Sequence, residues 1–141
     1  LRLVLDSNVI ISAVFFGGPP EQLVLAALEG RVETFVSMAI LDEILGVVQR
    51  PKFGLNPDQA LQLIEELHAL CRVVVPSMKV QAIPADPDDN AVLECAMEAR
   101  ADIVVSGDDH LLALGNWQGL RILGPSEALR FIQPTDGRIR D

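Results

Sequence analysis

The sequence predicts a single α/β domain built on a parallel sheet, and three observations carry that expectation. Short runs of branched aliphatic residues alternate with amphipathic segments, the rhythm of buried strands crossed over by helices. Two of those runs stop at acids, LRLVL at Asp6 and IVVSG at Asp108. Half of the 141 residues are apolar, and a chain of this length buries roughly 68% of the surface it exposes when unfolded. Neither a disulfide nor a structural metal is needed for a core, and a disordered chain is excluded. The longest apolar run, residues 9–16, is broken by Ser12 and falls far short of the ~20 residues a membrane helix requires.

The elements follow in order. Residues 1–5 read as a buried central strand, followed by a loop that carries Asp6. Gly17-Gly18-Pro19-Pro20 forms a break, after which Pro20 opens a helix with Leu23, Ala26 and Ala27 on one face and Gly30 as its stop. Residues 32–36 form a second strand. Ser37 then caps a helix whose Ile40, Leu41, Ile44, Leu45 and Val48 share a face, and Pro51 ends it. Asn56-Pro57 opens a third helix through Leu61, Ile64, Leu67 and Cys71, leading into a strand at 72–75. Loop 84–90, rich in Pro and Asp, precedes a helix with Val92, Leu93, Ala96 and Met97 inside, then a strand at 103–105. A short helix at 110–114, a strand at 120–123 and a Ser126-capped helix through Ile132 complete the domain, 1–133, before a polar tail, 134–141.

Twenty Asp and Glu against 11 Lys and Arg give a formal charge of -9, which argues against a broad basic nucleic-acid surface without excluding a local one. The acids are concentrated: residues 86–109 contain eight carboxylates and one base, Arg100. Cys71 and Cys95 have no CxxC or Cys/His spacing and read as core thiols of a reducing compartment. LRLVL has neither the basic region nor the long apolar stretch of a secretory signal; with no initiator Met it reads as a trimmed start, and a cytoplasmic location is expected.

In a doubly wound sheet, ligands bind beyond the carboxyl ends of the strands. Asp6 and Asp108 stand at two such ends, and Asp89 opens the helix that leads into the strand before Asp108. Glu43, six residues past Ser37 and beside the Ile44 and Leu45 face, is a fourth candidate. Each acid alone is an ordinary cap, turn or helix-edge charge. Together they form a pocket of like charges, which attracts cations, and hard oxygen donors select Mg²⁺ or Mn²⁺. Phosphodiester hydrolysis suits such a site: one ion activates water while a second, ~4 Å away, stabilises the leaving oxygen. Replacing Asp6 with Asn is then expected to relieve repulsion and leave the metal-free chain as stable as the parent, or more so by ~1 kcal/mol.

LVLDSNVIISA, SMAILDEILGVVQRPKF and DPDDNAVLECAMEARADIVVSGDDHLL, in that order, closely resemble the PIN domain over nearly the whole chain, particularly its toxins of toxin–antitoxin systems. The resemblance implies a three-layer α/β/α fold, a five-stranded parallel sheet of order 3-2-1-4-5, and a Mg²⁺- or Mn²⁺-dependent ribonuclease. It implies that Asp6, Glu43, Asp89 and Asp108 are the catalytic and metal-binding acids. A gapless count back from Ser106 reaches Asn90 instead of Asp89, but helix phase favours Asp89, with Val92, Leu93, Ala96 and Met97 at +3, +4, +7 and +8. Asn90 remains a reserve. Asn8 and Ser106 are candidates to orient Asp6 and Asp108, loop capping being an equal reading. Asp86, Asp88 and Asp109 add negative potential. His110 is near enough in sequence to face a scissile phosphate, although a helix surface is its commoner place, and His68 reads as structural.

Arg50 and Lys52 are the candidate phosphate contacts, and the Phe15-Phe16 pair and Trp117 are candidates for stacking on bases or for an interface, the interface being preferred for the Phe pair. The family resemblance also implies self-association and a small antitoxin partner. Two rivals remain. LVLDSN and SGDD are similar to haloacid-dehalogenase-type phosphatases, which expect Asp at the place of Asn8 and a Lys before the final acids. The other is a catalytically silent domain of the same fold that binds RNA or protein.

Overall fold

The structure, a computed structural model, describes residues 1–83 and 87–137. Asp86 lies outside the described residues. Its centre is β1 (Arg2–Leu5), paired in parallel with β2 (Glu33–Val36) on one side and β4 (Ile103–Val105) on the other. Consecutive residues Leu3, Val4 and Leu5 are all buried, as are Ile103, Val104 and Val105, so both faces of the sheet are covered. Beyond β2 lies β3 (Arg72–Val73), and beyond β4 lies β6 (Leu120–Leu123), both parallel to their neighbours. These five strands have the order that the family resemblance implies.

The sheet has a sixth strand, a correction to the expected five. β5 (Asn116–Trp117) pairs antiparallel with β6 and occupies the edge, giving the order β3-β2-β1-β4-β6-β5. The two-residue turn between them, Gln118-Gly119, has φ of 52° and 84°. Positive φ at both positions is what a tight type I′ hairpin demands. Two residues are too few to show alternation in a sequence.

The described residues form seven α-helices, α1 (Ser7–Phe15), α2 (Pro19–Leu28), α3 (Met38–Val48), α4 (Pro57–Leu70), α5 (Pro87–Ala99), α6 (Asp109–Leu114) and α7 (Pro125–Gly137), and one 3-10 turn, Pro51–Phe53. Where the sequence reading has a loop after β1, the chain forms α1. Its apolar residues run almost all round the helix, with Val9, Ile10, Ile11 and Ala13 buried, so no helical period is visible. Ser37 caps α3 by accepting from the Ile40 amide. Asn56 caps α4 in a reciprocal pair with Gln59, each side chain accepting from the other's amide.

α7 begins before Ser126. The carbonyl of Gly124 accepts the Ala128 amide at 2.9 Å, so Gly124 is the capping position and Pro125 the first helical residue, where its fixed φ is favourable. The helix passes the expected tail boundary and reaches Gly137, while 138–141 lie outside the described residues. No single described helix is long and apolar enough to cross a membrane.

The direction of winding reverses between β1 and β4: the chain moves outward through β2 and β3, then returns to build β4 and β6 on the other side. The crevice beyond the carboxyl ends of β1 and β4 is therefore where a ligand belongs.

Candidate metal centre

Two acids leave the sheet at that crevice, and each starts a helix. Asp6 follows β1 and caps α1: its Oδ1 accepts the Ser7 amide at 2.8 Å. Its Oδ2 accepts the Asn8 amide nitrogen at 3.2 Å and the Ser106 hydroxyl at 2.7 Å. Asp108 follows β4 and caps α6, its Oδ1 accepting from the amides of His110 at 2.8 Å and Leu111 at 3.3 Å. Ser106 joins the two acids, because the oxygen that donates to Asp6 also accepts the Asp108 amide at 2.9 Å. Asn8 spans the same gap, its carbonyl oxygen accepting the Gly107 amide at 3.2 Å. Both side chains therefore bond at once to the Asp6 carboxylate and to a backbone amide of the loop after β4.

Asp89 lies in the first turn of α5 and is buried. It lines a groove of about 330 Å³ together with Asp6, Asn8, half-buried Glu43 of α3, Asp88 and Asp108. Asn90 is turned elsewhere: its side chain accepts the Ile83 amide at 2.9 Å and donates to the Ile83 carbonyl. The reserve position thus holds the preceding loop and does not line the groove. Of the basic pair, Lys52 lines the groove, whereas exposed Arg50 does not. Phe16 lines it and is 76% exposed, while Phe15 packs on Phe53 with ring centroids 4.6 Å apart. Trp117 sits on β5, packed against the core.

One residue gains importance from the fold. His110 is 66% exposed by side chain, but its Nδ1 is 3.9 Å from both Asp89 Oδ2 and Asp108 Oδ1. Sequence places it only near Asp108; its approach to Asp89 exists because α5 and α6 meet at the crevice. Ligand atoms from Asp89, Asp108 and His110 all lie within 4.8 Å of one another. This donor set fits a divalent cation, since carboxylate oxygens suit Mg²⁺ and Mn²⁺ and an imidazole adds a nitrogen.

The protein is thus of the doubly wound α/β class, with carboxylates converging where the winding reverses. The chain belongs to the PIN domain family, whose model matches residues 2–110. No curated protein matches it in sequence. Among solved structures it is similar to VapBC2 from Rickettsia felis bound to a DNA fragment from their promoter, at 13% identity and TM-score 0.61, covering 86% of this chain and 97% of that one. It is likewise similar to VapBC-1 from nontypeable Haemophilus influenzae, at 13% identity and TM-score 0.62, covering 89% and 99%. At these identities the likeness is one of fold.

Proposed function

We propose that the protein is a Mg²⁺- or Mn²⁺-dependent endoribonuclease, the toxin of a toxin–antitoxin pair acting in the cytoplasm. The observation that carries this reading is that acids from four separate places in the fold, Asp6, Glu43, Asp89 and Asp108, line one groove. Folding gathers charges that repel one another, and a cation with a phosphate substrate offsets that cost. Membership of the PIN domain family and the fold shared with VapBC structures support the toxin role and a small antitoxin partner.

Asp89 and Asp108 would hold the cation, with Asp6 and Glu43 completing the acidic wall. Bound there, it would neutralise charge on the scissile phosphate and lower the pKa of water, so that hydroxide becomes available to attack. Ser106 and Asn8 hold Asp6 and the Asp108 turn in fixed register. Lys52 places a positive charge on the groove wall, suited to a neighbouring backbone phosphate, and exposed Phe16 offers a face to an unstacked base. Arg50, exposed and two residues before Lys52, would serve as a peripheral phosphate contact.

Structured RNA incubated with the protein in Mg²⁺, Mn²⁺ or EDTA tests the proposal, beside a small phosphate ester. RNA cleavage that needs metal and is lost by at least about 100-fold in Asp108→Asn is expected. Cleavage that survives EDTA overturns the metal mechanism. Hydrolysis of the ester alone favours a phosphatase, and neither reaction favours a silent binding domain.

A further inference from the structure

Carboxylates alone distinguish poorly between Mg²⁺ and Mn²⁺, because both are hard cations that accept oxygen donors. Imidazole does distinguish them, since Mg²⁺ dehydrates reluctantly and keeps its waters and oxygens, whereas Mn²⁺, also hard but a first-row transition ion, accepts a nitrogen donor at smaller cost. We infer that His110 is a third donor to the cation held by Asp89 and Asp108, giving the site a preference for Mn²⁺ over Mg²⁺. The inference rests on the proposed metal site and adds its ion selectivity.

Three features of the structure support it. His110 Nδ1 is equidistant, at 3.9 Å, from one oxygen of Asp89 and one of Asp108, two acids on different elements. That separation is long for a hydrogen bond, yet donors sharing one ion at bond lengths of about 2.1 Å stand roughly 3–4 Å apart. Finally, the backbone beneath the imidazole is fixed, because Asp108 Oδ1 accepts the His110 amide at 2.8 Å. The ring therefore projects from an anchored first turn of α6 toward α5. Its exposure makes the ring easy to change without disturbing the core.

The test is direct metal binding by the full chain at one fixed pH. Mn²⁺ is followed by the electron paramagnetic resonance of the free ion, and Mg²⁺ by its displacement of Mn²⁺. The parent is compared with His110→Ala and Asp108→Asn, each shown to be folded by a metal-free melt. His110→Ala is expected to weaken Mn²⁺ about tenfold and Mg²⁺ less than about threefold, so that the preference collapses. Asp108→Asn should weaken both ions. If His110→Ala changes neither ion, or changes both by the same factor, the imidazole is not a selective donor, although the carboxylate site stands. If the parent binds neither ion, the carboxylate site itself fails, and the proposed function with it.

Discussion

The side chain of Ser106 is fully buried, yet its hydroxyl works in both directions, donating to Asp6 and accepting from the Asp108 amide. Ser106→Ala strips a donor from a buried carboxylate and an acceptor from a backbone amide, and should cost about 2 kcal/mol. A fall in Tm of about 6 °C would register that loss; an unchanged melt would show the bridge to be incidental. The same geometry revises the expectation for Asp6→Asn. The two oxygens of Asp6 accept from the Ser7 amide, the Asn8 side chain and the Ser106 hydroxyl. An amide keeps one acceptor and turns its NH₂ toward groups that donate, so relief of repulsion is outweighed. Metal-free Asp6→Asn should melt below the parent, by about 1–2 kcal/mol in urea titration. The position of Asp6 was readable from the apolar strand before it; its bond from Ser106 was not, because Ser106 lies one hundred residues away in the chain.

At the scale of elements, α5 carries a second regular pattern besides its apolar face. Asn90, Glu94 and Glu98, spaced by four, fall on one side of the helix. They hold residues 77–83, a segment without helix or strand, through backbone groups of Ile83, Val80 and Ser77. The helix that presents Asp89 is thereby strapped on its other side. Asn90→Ala leaves two buried backbone groups of Ile83 unsatisfied and should cost about 2 kcal/mol, with faster limited proteolysis within 77–83. Glu94→Ala, which frees one half-buried amide, should cost about half as much; equal effects would refute the ladder. The helix itself was legible from Val92, Leu93 and Ala96, and its phase separated Asp89 from Asn90. The strap was not, since nothing in 77–83 repeats. Nor was α1, whose apolar residues surround the helix, nor the closeness of His110 to Asp89, which arises only when two helices converge.

For the whole molecule, the buried thiols set an alkaline limit. Burial pushes the Cys95 thiol from 9.0 up to about 12, partly opposed by a hydrogen bond from Ser37 and reinforced by Cys71, and burial likewise raises Cys71 against a hydrogen bond from Thr34. Between those values the unfolded chain releases protons that the folded chain keeps. Stability from this source is full below about pH 9 and is lost as pH rises toward 12. The chain contains no tyrosine to titrate in the same window. Urea midpoints measured from pH 7 to 10.5 should fall above pH 9, and Cys95→Ala, though less stable throughout, should fall less steeply; parallel curves would exclude the thiol as the cause. The ends of the sheet have a different consequence. Its two margins are β3 and β5, each only two residues long, and β5 is already folded back on β6 by a tight turn. Among the described residues, neither margin presents a row of open amides and carbonyls long enough to template another strand. A protein partner docking on the described residues is therefore expected to meet side chains on helices and loops, because an extended peptide joining the sheet by main-chain pairing is a mode of partnership this architecture discourages.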